Sequence, residues 1–248
     1  MNILVCLSRV PDTNSKLVIS DDNKSINKST KYVMNPYDEY ALEEALQIRT
    51  KYGGIITAIT VGNEVSEDIL RSAYALGVEK AVIIKSENNL NSSFQVASAI
   101  ALFAETQSFD LILCGNQSID YSSESIPIFL SEILNVPALT SAMKIEINDS
   151  LVTVDKEIND GTIKMETSLP CIISVQKGIN QPRYPKLPDI MKSKKKPISD
   201  FQAHIKNSKI NAFELKINKK ERIGKIVGDS KEEIIEIIEL LKTEAKVL

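Results

Sequence analysis

Apolar residues along this chain fall into short dense runs separated by longer stretches at helical spacing. Ile3 to Leu7, Ile55 to Val61, Ala81 to Ile84 and Leu111 to Cys114 carry few polar residues, as strands buried on both faces do. Between them, Ala41, Leu42, Ala45, Leu46 and Ile48 recur at the helical period. Asn35 and Pro36 announce that helix as cap and first residue, Asp38 and Glu39 suit its positive end, and Gly53 stops it. Further helices are predicted from about Ser66 to Leu76, from Asn91 to Thr106 and from Ile126 onward. The second of these carries Phe94, Ala97, Ile100, Ala101 and Ala104 on one face. Strands alternating with helices predict an α/β fold, a doubly wound and mainly parallel sheet covered on both sides.

The pattern changes twice. Residues 12–33 are polar and predict an excursion or small hairpin, with Asp21, Asp22 and Asn23 as its turn. Beyond Pro137, the runs MKIEI, LVTVDKEI and TIKMETSL are separated by turn residues, including Asp160-Gly161, and predict an antiparallel hairpin addition. Cys171 to Val175 then returns to the main sheet. Residues 178–198 hold four prolines and a lysine run and predict an extended, exposed segment without a regular element. Residues 199–229 are weakly patterned. The last stretch, KEEIIEIIELLKTEAKVL, predicts a helix capped by Ser230 with Glu233 in the capping-box position. Ile234, Ile237, Ile238, Leu241 and Ala245 form its expected buried stripe, against another chain or back on the domain.

Composition narrows the function classes. A formal net charge of −3 argues against a dedicated nucleic-acid binder. No apolar run is long enough to insert into a bilayer. The chain opens directly on a strand with no leader, so a cytoplasmic protein is expected, or a mitochondrial-matrix one if the source is eukaryotic. Cys6, Cys114 and Cys171 all lie inside apolar runs without metal-ligand spacing, and His204 is the single histidine. Histidine triads and zinc sites therefore lack material.

Parallel sheets bind ligands at the carboxyl ends of their strands. Three such ends stand out: Leu7-Ser8, Val61-Gly62 and Gly115 to Ser118. The third opens into a polar loop before a helix, which is one way to build a phosphate site. It lacks a Walker or Rossmann glycine pattern, and by itself reads as an ordinary strand-to-helix turn.

Five stretches taken together resemble the electron-transfer flavoprotein beta-subunit family. They are VPDT (Val10 to Thr13), MNPYDEYALEEAL (Met34 to Leu46), LRSAYALGVEKA (Leu70 to Ala81), DLILCGNQSID (Asp110 to Asp120) and RYPKLPDIMKSKKKPI (Arg183 to Ile198). The resemblance covers nearly the whole chain. It implies a fold similar to adenine-nucleotide alpha hydrolases and a non-enzymatic electron-carrier role. It also implies a heterodimer with a larger alpha subunit, which holds most of an FAD. Electrons would pass from acyl-CoA dehydrogenases or similar flavoenzymes, through that FAD, to a quinone oxidoreductase.

The same resemblance implies a structural AMP in this chain. Its contacts would come from Cys6, Leu7 and Ser8, from Val61 and Gly62, and from Gly115, Gln117, Ser118 and Asp120. Ser122, Ser123 and Ser125 would face the phosphate, and Asn35 would cap its helix nearby. Where AMP-binding relatives often carry Asn-Gln-Thr-Gly, this chain has Glu124-Ser125-Ile126-Pro127. That departure removes a threonine donor. An apolar residue at the Ile126 position also occurs in relatives that bifurcate electrons and hold a second FAD in place of AMP, which keeps that alternative open.

Residues 182–198 correspond to the family's recognition loop. Leu187 would be its anchor, Ile190 and Met191 its support, and Lys192, Lys194, Lys195 and Lys196 would steer acidic partners. The division expected is a nucleotide-binding domain over 1–198, followed by an arm and helix over 199–248 that pack on the alpha subunit. The sheet pattern alone also fits a stand-alone nucleotide-binding protein of similar fold. That reading leaves residues 178–198 and the terminal helix unexplained.

Overall fold

The computed structural model describes residues 1–21, 23, 26, 30–86, 90, 92–205, 214–218, 226, 228 and 230–247. Among them seven strands form one sheet in which every pairing is parallel. These are β1 (Asn2–Cys6), β4 (Ile55–Val61), β5 (Lys80–Ser86), β6 (Leu111–Gly115), β7 (Ala138–Ala142), β11 (Cys171–Val175) and β12 (Ser199–Ala203). Their order is β12-β5-β4-β1-β6-β11-β7. The short β2 (Arg9–Pro11) and β3 (Tyr32–Met34) pair antiparallel and close the excursion expected over 12–33. The antiparallel addition is a separate three-stranded sheet, with β9 (Leu151–Ile158) between β8 (Lys144–Asn148) and β10 (Gly161–Ser168).

Alternation along the strands sorts the core into two layers. Ile3, Val5 and Leu7 point to one face, where α1 (Pro36–Tyr52) and α2 (Glu67–Leu76) bury Leu42, Leu46 and Leu70. Leu4, Cys6, Ile112 and Cys114 point to the other face, where α3 (Ser93–Glu105) and α4 (Ile126–Leu134) bury Ala97, Ile100 and Leu130. Each fully buried leucine of this kind contributes about 1.5–3 kcal/mol. The helices stop where the backbone can turn left-handed: Gly77 follows α2 at φ 114° and Asn135 follows α4 at φ 52°.

From β1 the chain winds through α1 and α2 to β4 and β5, then α3 carries it back across to β6 on the far side of β1. The winding direction therefore reverses between β1 and β6. In an open α/β sheet the ligand crevice lies at the carboxyl edge beside that reversal.

Three expectations need correction. Residues 187–193, expected to be irregular, form the helix α5 (Leu187–Ser193), because the prolines cluster before and at its first turn and leave the rest free to wind. Ser199–Ala203, assigned to the arm beyond residue 198, is the edge strand β12, with Phe201 edge-on to Phe103 at 5.3 Å between ring centres. The chain accordingly divides into compact units Met1–Leu215 and Lys216–Leu248. Phe94 is 54% exposed and stands edge-on to Phe129 rather than in the core. The terminal helix α6 (Lys231–Thr243) has the expected capping box, and its stripe residues Ile234 and Ile238 are 47% and 41% exposed within this chain. A stripe of this kind has nothing to bury against within its own helix.

Candidate functional site

The carboxyl ends of β1 and β6 are tied to the start of α1 by one carboxylate. Asp38 lies in the first turn of α1, is 5% exposed, and accepts four hydrogen bonds. Oδ2 takes the Ser8 amide at 2.7 Å and the Ser8 hydroxyl at 2.6 Å. Oδ1 takes the Asn35 side-chain amide at 3.0 Å and the Gly115 N–H at 3.2 Å. Burial pushes its pKa up to about 6, against the pull of these donors. Gly115 is glycine for a visible reason: a Cβ there would stand 2.7 Å from the Tyr37 carbonyl carbon.

Asn35 does not cap α1 with its side chain. Instead its amide donates to the Gln117 carbonyl at 2.9 Å as well as to Asp38, and its oxygen accepts from the Ile119 N–H at 3.4 Å. It is 1% exposed, and its polar atoms hold the loop after β6 against α1. Asn116 turns the other way, accepting from Ser174 and Ser141 hydroxyls at 3.0 Å each.

The loop itself is compact. Ser118 bridges to Ser123, and Asp120 accepts from the Ser118 hydroxyl and from the Tyr121 N–H. Ser122 makes the turn at φ 52°. Beyond it, the Ser123 hydroxyl lies 2.9 Å from that of Ser93 and 2.8 Å from that of Ser125. Ser93 opens α3 and Ser125 immediately precedes α4, so two helix N-termini and three linked hydroxyls meet here. Such an arrangement favours an anion through the aligned peptide dipoles and the hydroxyl donors. Glu124 is exposed to solvent, and Ile126 packs against the core layer under α3 and α4.

The remaining expected residues divide. Cys6 and Cys114 are neighbours in the layer under α3 and α4, where the Cys6 thiol and burial push the Cys114 thiol well up. Leu7 points into the opposite layer and offers a ligand only its backbone. Val61 and Gly62 end β4, with the Gly62 N–H held by the Ile84 carbonyl at 3.0 Å. Among the described residues no cluster of His, Cys, Asp and Glu is arranged for a metal ion, and no helix is long and apolar enough to cross a membrane. Sequence reasoning missed Asp38, Ser93 and Asn116 as site residues. Asp38 read as a helix-start charge, and nothing local to Ser93 signals that β6 returns beside it.

A second surface lies on α5. Leu187 is 72% exposed and Met191 59%, with Ile190 beside them. Lys192 sits 3.8 Å from Asp189, and Lys194 and Lys195 are exposed. Lys196 is not a free charge: it donates to the Val78 carbonyl at 3.0 Å and lies over the Tyr74 ring.

The electron transfer flavoprotein domain model matches residues 24–206. An electron transfer flavoprotein subunit beta from Bacillus subtilis is 38% identical, with all of both chains aligned. Its counterparts in Bradyrhizobium diazoefficiens and Dictyostelium discoideum are 31% identical over all of both chains, and 34% identical over 99% of this chain and 98% of theirs. With the family model spanning most of its length, this chain belongs to the electron transfer flavoprotein beta-subunit family.

Proposed function

We propose that the chain pairs with a larger alpha subunit to form an electron carrier between acyl-CoA dehydrogenases, or similar flavoenzymes, and a quinone oxidoreductase. The redox chemistry belongs to an FAD held mainly by the alpha subunit. This chain binds AMP as a structural element in the crevice between β1 and β6, and offers α5 to the electron donor. Its own residues bind and orient and perform no chemical step.

The observation that carries the AMP assignment is the convergence of Ser93, Ser123 and Ser125 where α3 and α4 begin. These hydroxyls and helix ends suit a single phosphate group. They also compensate for the missing threonine, and Glu124 is exposed to solvent. Ile126, the residue that keeps a second FAD in play, is occupied in core packing, which favours AMP over a flavin at this place.

The heterodimer purified after co-expression with its alpha partner tests the reading. Nucleotides released on denaturation should comprise one FAD and one AMP per complex. Two FAD and no AMP would replace the structural nucleotide with a second flavin. A chain that forms no complex with an alpha subunit would overturn the whole assignment.

A further inference from the structure

The helix α5 is only seven residues long, below the length at which a helix holds itself together in water. It is nevertheless fixed at both ends by side chains from other helices. Ahead of it, Arg183 meets Glu43 of α1 through two parallel bonds, Nε to Oε2 and Nη2 to Oε1, each 2.7 Å. Glu43 is 5% exposed and is braced by Gln47 at 3.0 Å. The next residue of the same helix, Glu44, accepts from Asn180 at 2.9 Å, and the Asn180 amide also donates to the Tyr40 carbonyl. Behind α5, Arg71 of α2 donates through Nη1 to the carbonyls of Ser193, at 3.0 Å, and Lys196. Its Nη2 is held by Glu67 at 3.0 Å. Tyr74 donates its hydroxyl to the Pro197 carbonyl.

None of these groups belongs to the exposed apolar face of α5. A guanidinium at the carbonyl that ends a helix adds a charged donor and opposes the negative end of the dipole. A bidentate pair with a nearly buried carboxylate fixes angle as well as distance. We propose that Glu43 and Arg71 are positioning residues for donor docking, acting through Arg183 and through the carboxyl end of α5 to hold Leu187, Ile190 and Met191 in a preformed, rigid array. This rests on the reading of α5 as the docking element. It assigns the ordering of the array to α1 and α2, so that a donor meets a surface already in its bound shape.

The test uses the complete heterodimer as electron acceptor for an acyl-CoA dehydrogenase that reduces the unmodified complex. Glu43→Gln, Arg71→Met and Leu187→Ala are compared singly, and Glu43→Gln is also combined with Leu187→Ala. If a variant keeps α5 formed about a tenth of the time, KM for the heterodimer should rise about tenfold, with kcat and flavin content unchanged. Amide exchange over residues 187–193 should accelerate in both positioning variants. The double variant should lose less than the two single losses combined, because part of the positioned array is already gone.

Loss at Leu187→Ala with normal KM in both positioning variants would overturn the positioning role and leave the docking role standing. A normal KM in Leu187→Ala would remove the docking role itself. Additive losses in the double variant would also overturn the proposal, since they mean that Glu43 acts by another route. Arg71→Lys, at a more exposed side chain, supplies the same comparison if Glu43→Gln fails to fold.

Discussion

One oxygen of Asp38 accepts both the backbone N–H and the hydroxyl of Ser8, thirty residues earlier in the chain. With the other oxygen on Asn35 and Gly115, this carboxylate fixes two strand ends against the start of α1. A nearly buried acid in that position makes the crevice sensitive to pH in a defined direction. Its folded pKa of about 6 lies above the ordinary 3.8, so its stabilising contribution is complete below about pH 4 and is lost as pH rises through 6. The change amounts to about 3 kcal/mol. In urea unfolding between pH 7 and 4.5, the stability gap between wild type and Asp38→Asn should widen as pH falls. A gap independent of pH would mean that Asp38 titrates normally.

Gly115→Ala should destabilise the protein by about 2 kcal/mol or more, because the nearest obstacle includes the backbone of Tyr37 and Asp38, which cannot swing aside. Gly62→Ala is the comparison. Its added methyl meets the Ser66 hydroxyl at 2.5 Å, and pairing it with Ser66→Ala should recover much of the loss. Thermal melting of the three variants separates these cases.

Ser93→Ala and Ser123→Ala should each lower the amount of nucleotide retained by the purified heterodimer, with little change in its FAD. Losing one hydrogen bond to a charged group costs about 1.5–3 kcal/mol, roughly ten- to a hundredfold in affinity. Quantifying released nucleotide by mass spectrometry checks this. Full retention in Ser93→Ala would place the phosphate away from α3.

The lysines around α5 should not behave alike. Replacing exposed Lys194 and Lys195 with glutamine should slow association with an acidic donor at low salt, with the difference fading as ionic strength rises. Lys196→Gln should instead loosen the segment, since that ammonium is committed to Val78 and Tyr74. Stopped-flow reduction across a salt series distinguishes a steering charge from a structural one.

Ile234→Asp with Ile238→Asp should leave the melting of Met1–Leu215 unchanged, because neither isoleucine is buried in this chain. If α6 covers its stripe with the alpha subunit, the same pair should weaken heterodimer formation sharply, as measured by analytical ultracentrifugation. Unchanged association would assign the stripe no part in the alpha interface.

Local pattern carried far. The dense runs at Ile3, Ile55, Ala81 and Leu111 became neighbouring parallel strands, and Ser230 with Glu233 formed the capping box their spacing announces. Weak segments were harder to read. Ser199–Ala203 has too few apolar residues to declare itself a strand, and it becomes one by meeting the free edge of β5. Leu187–Ser193 was hidden by the prolines before and within it, and its carboxyl end is completed by Arg71, which lies more than a hundred residues earlier.

The sequence by itself determined the α/β class and the family, because periodicity and motifs are properties of contiguous residues. Only the tertiary structure decided which polar groups meet. Ser8, Asn35, Asp38 and Gly115 converge because winding reverses between β1 and β6, and Ser93 joins Ser123 because α3 returns across the sheet to reach β6. Convergence of this kind depends on strand order, which no single stretch of chain encodes.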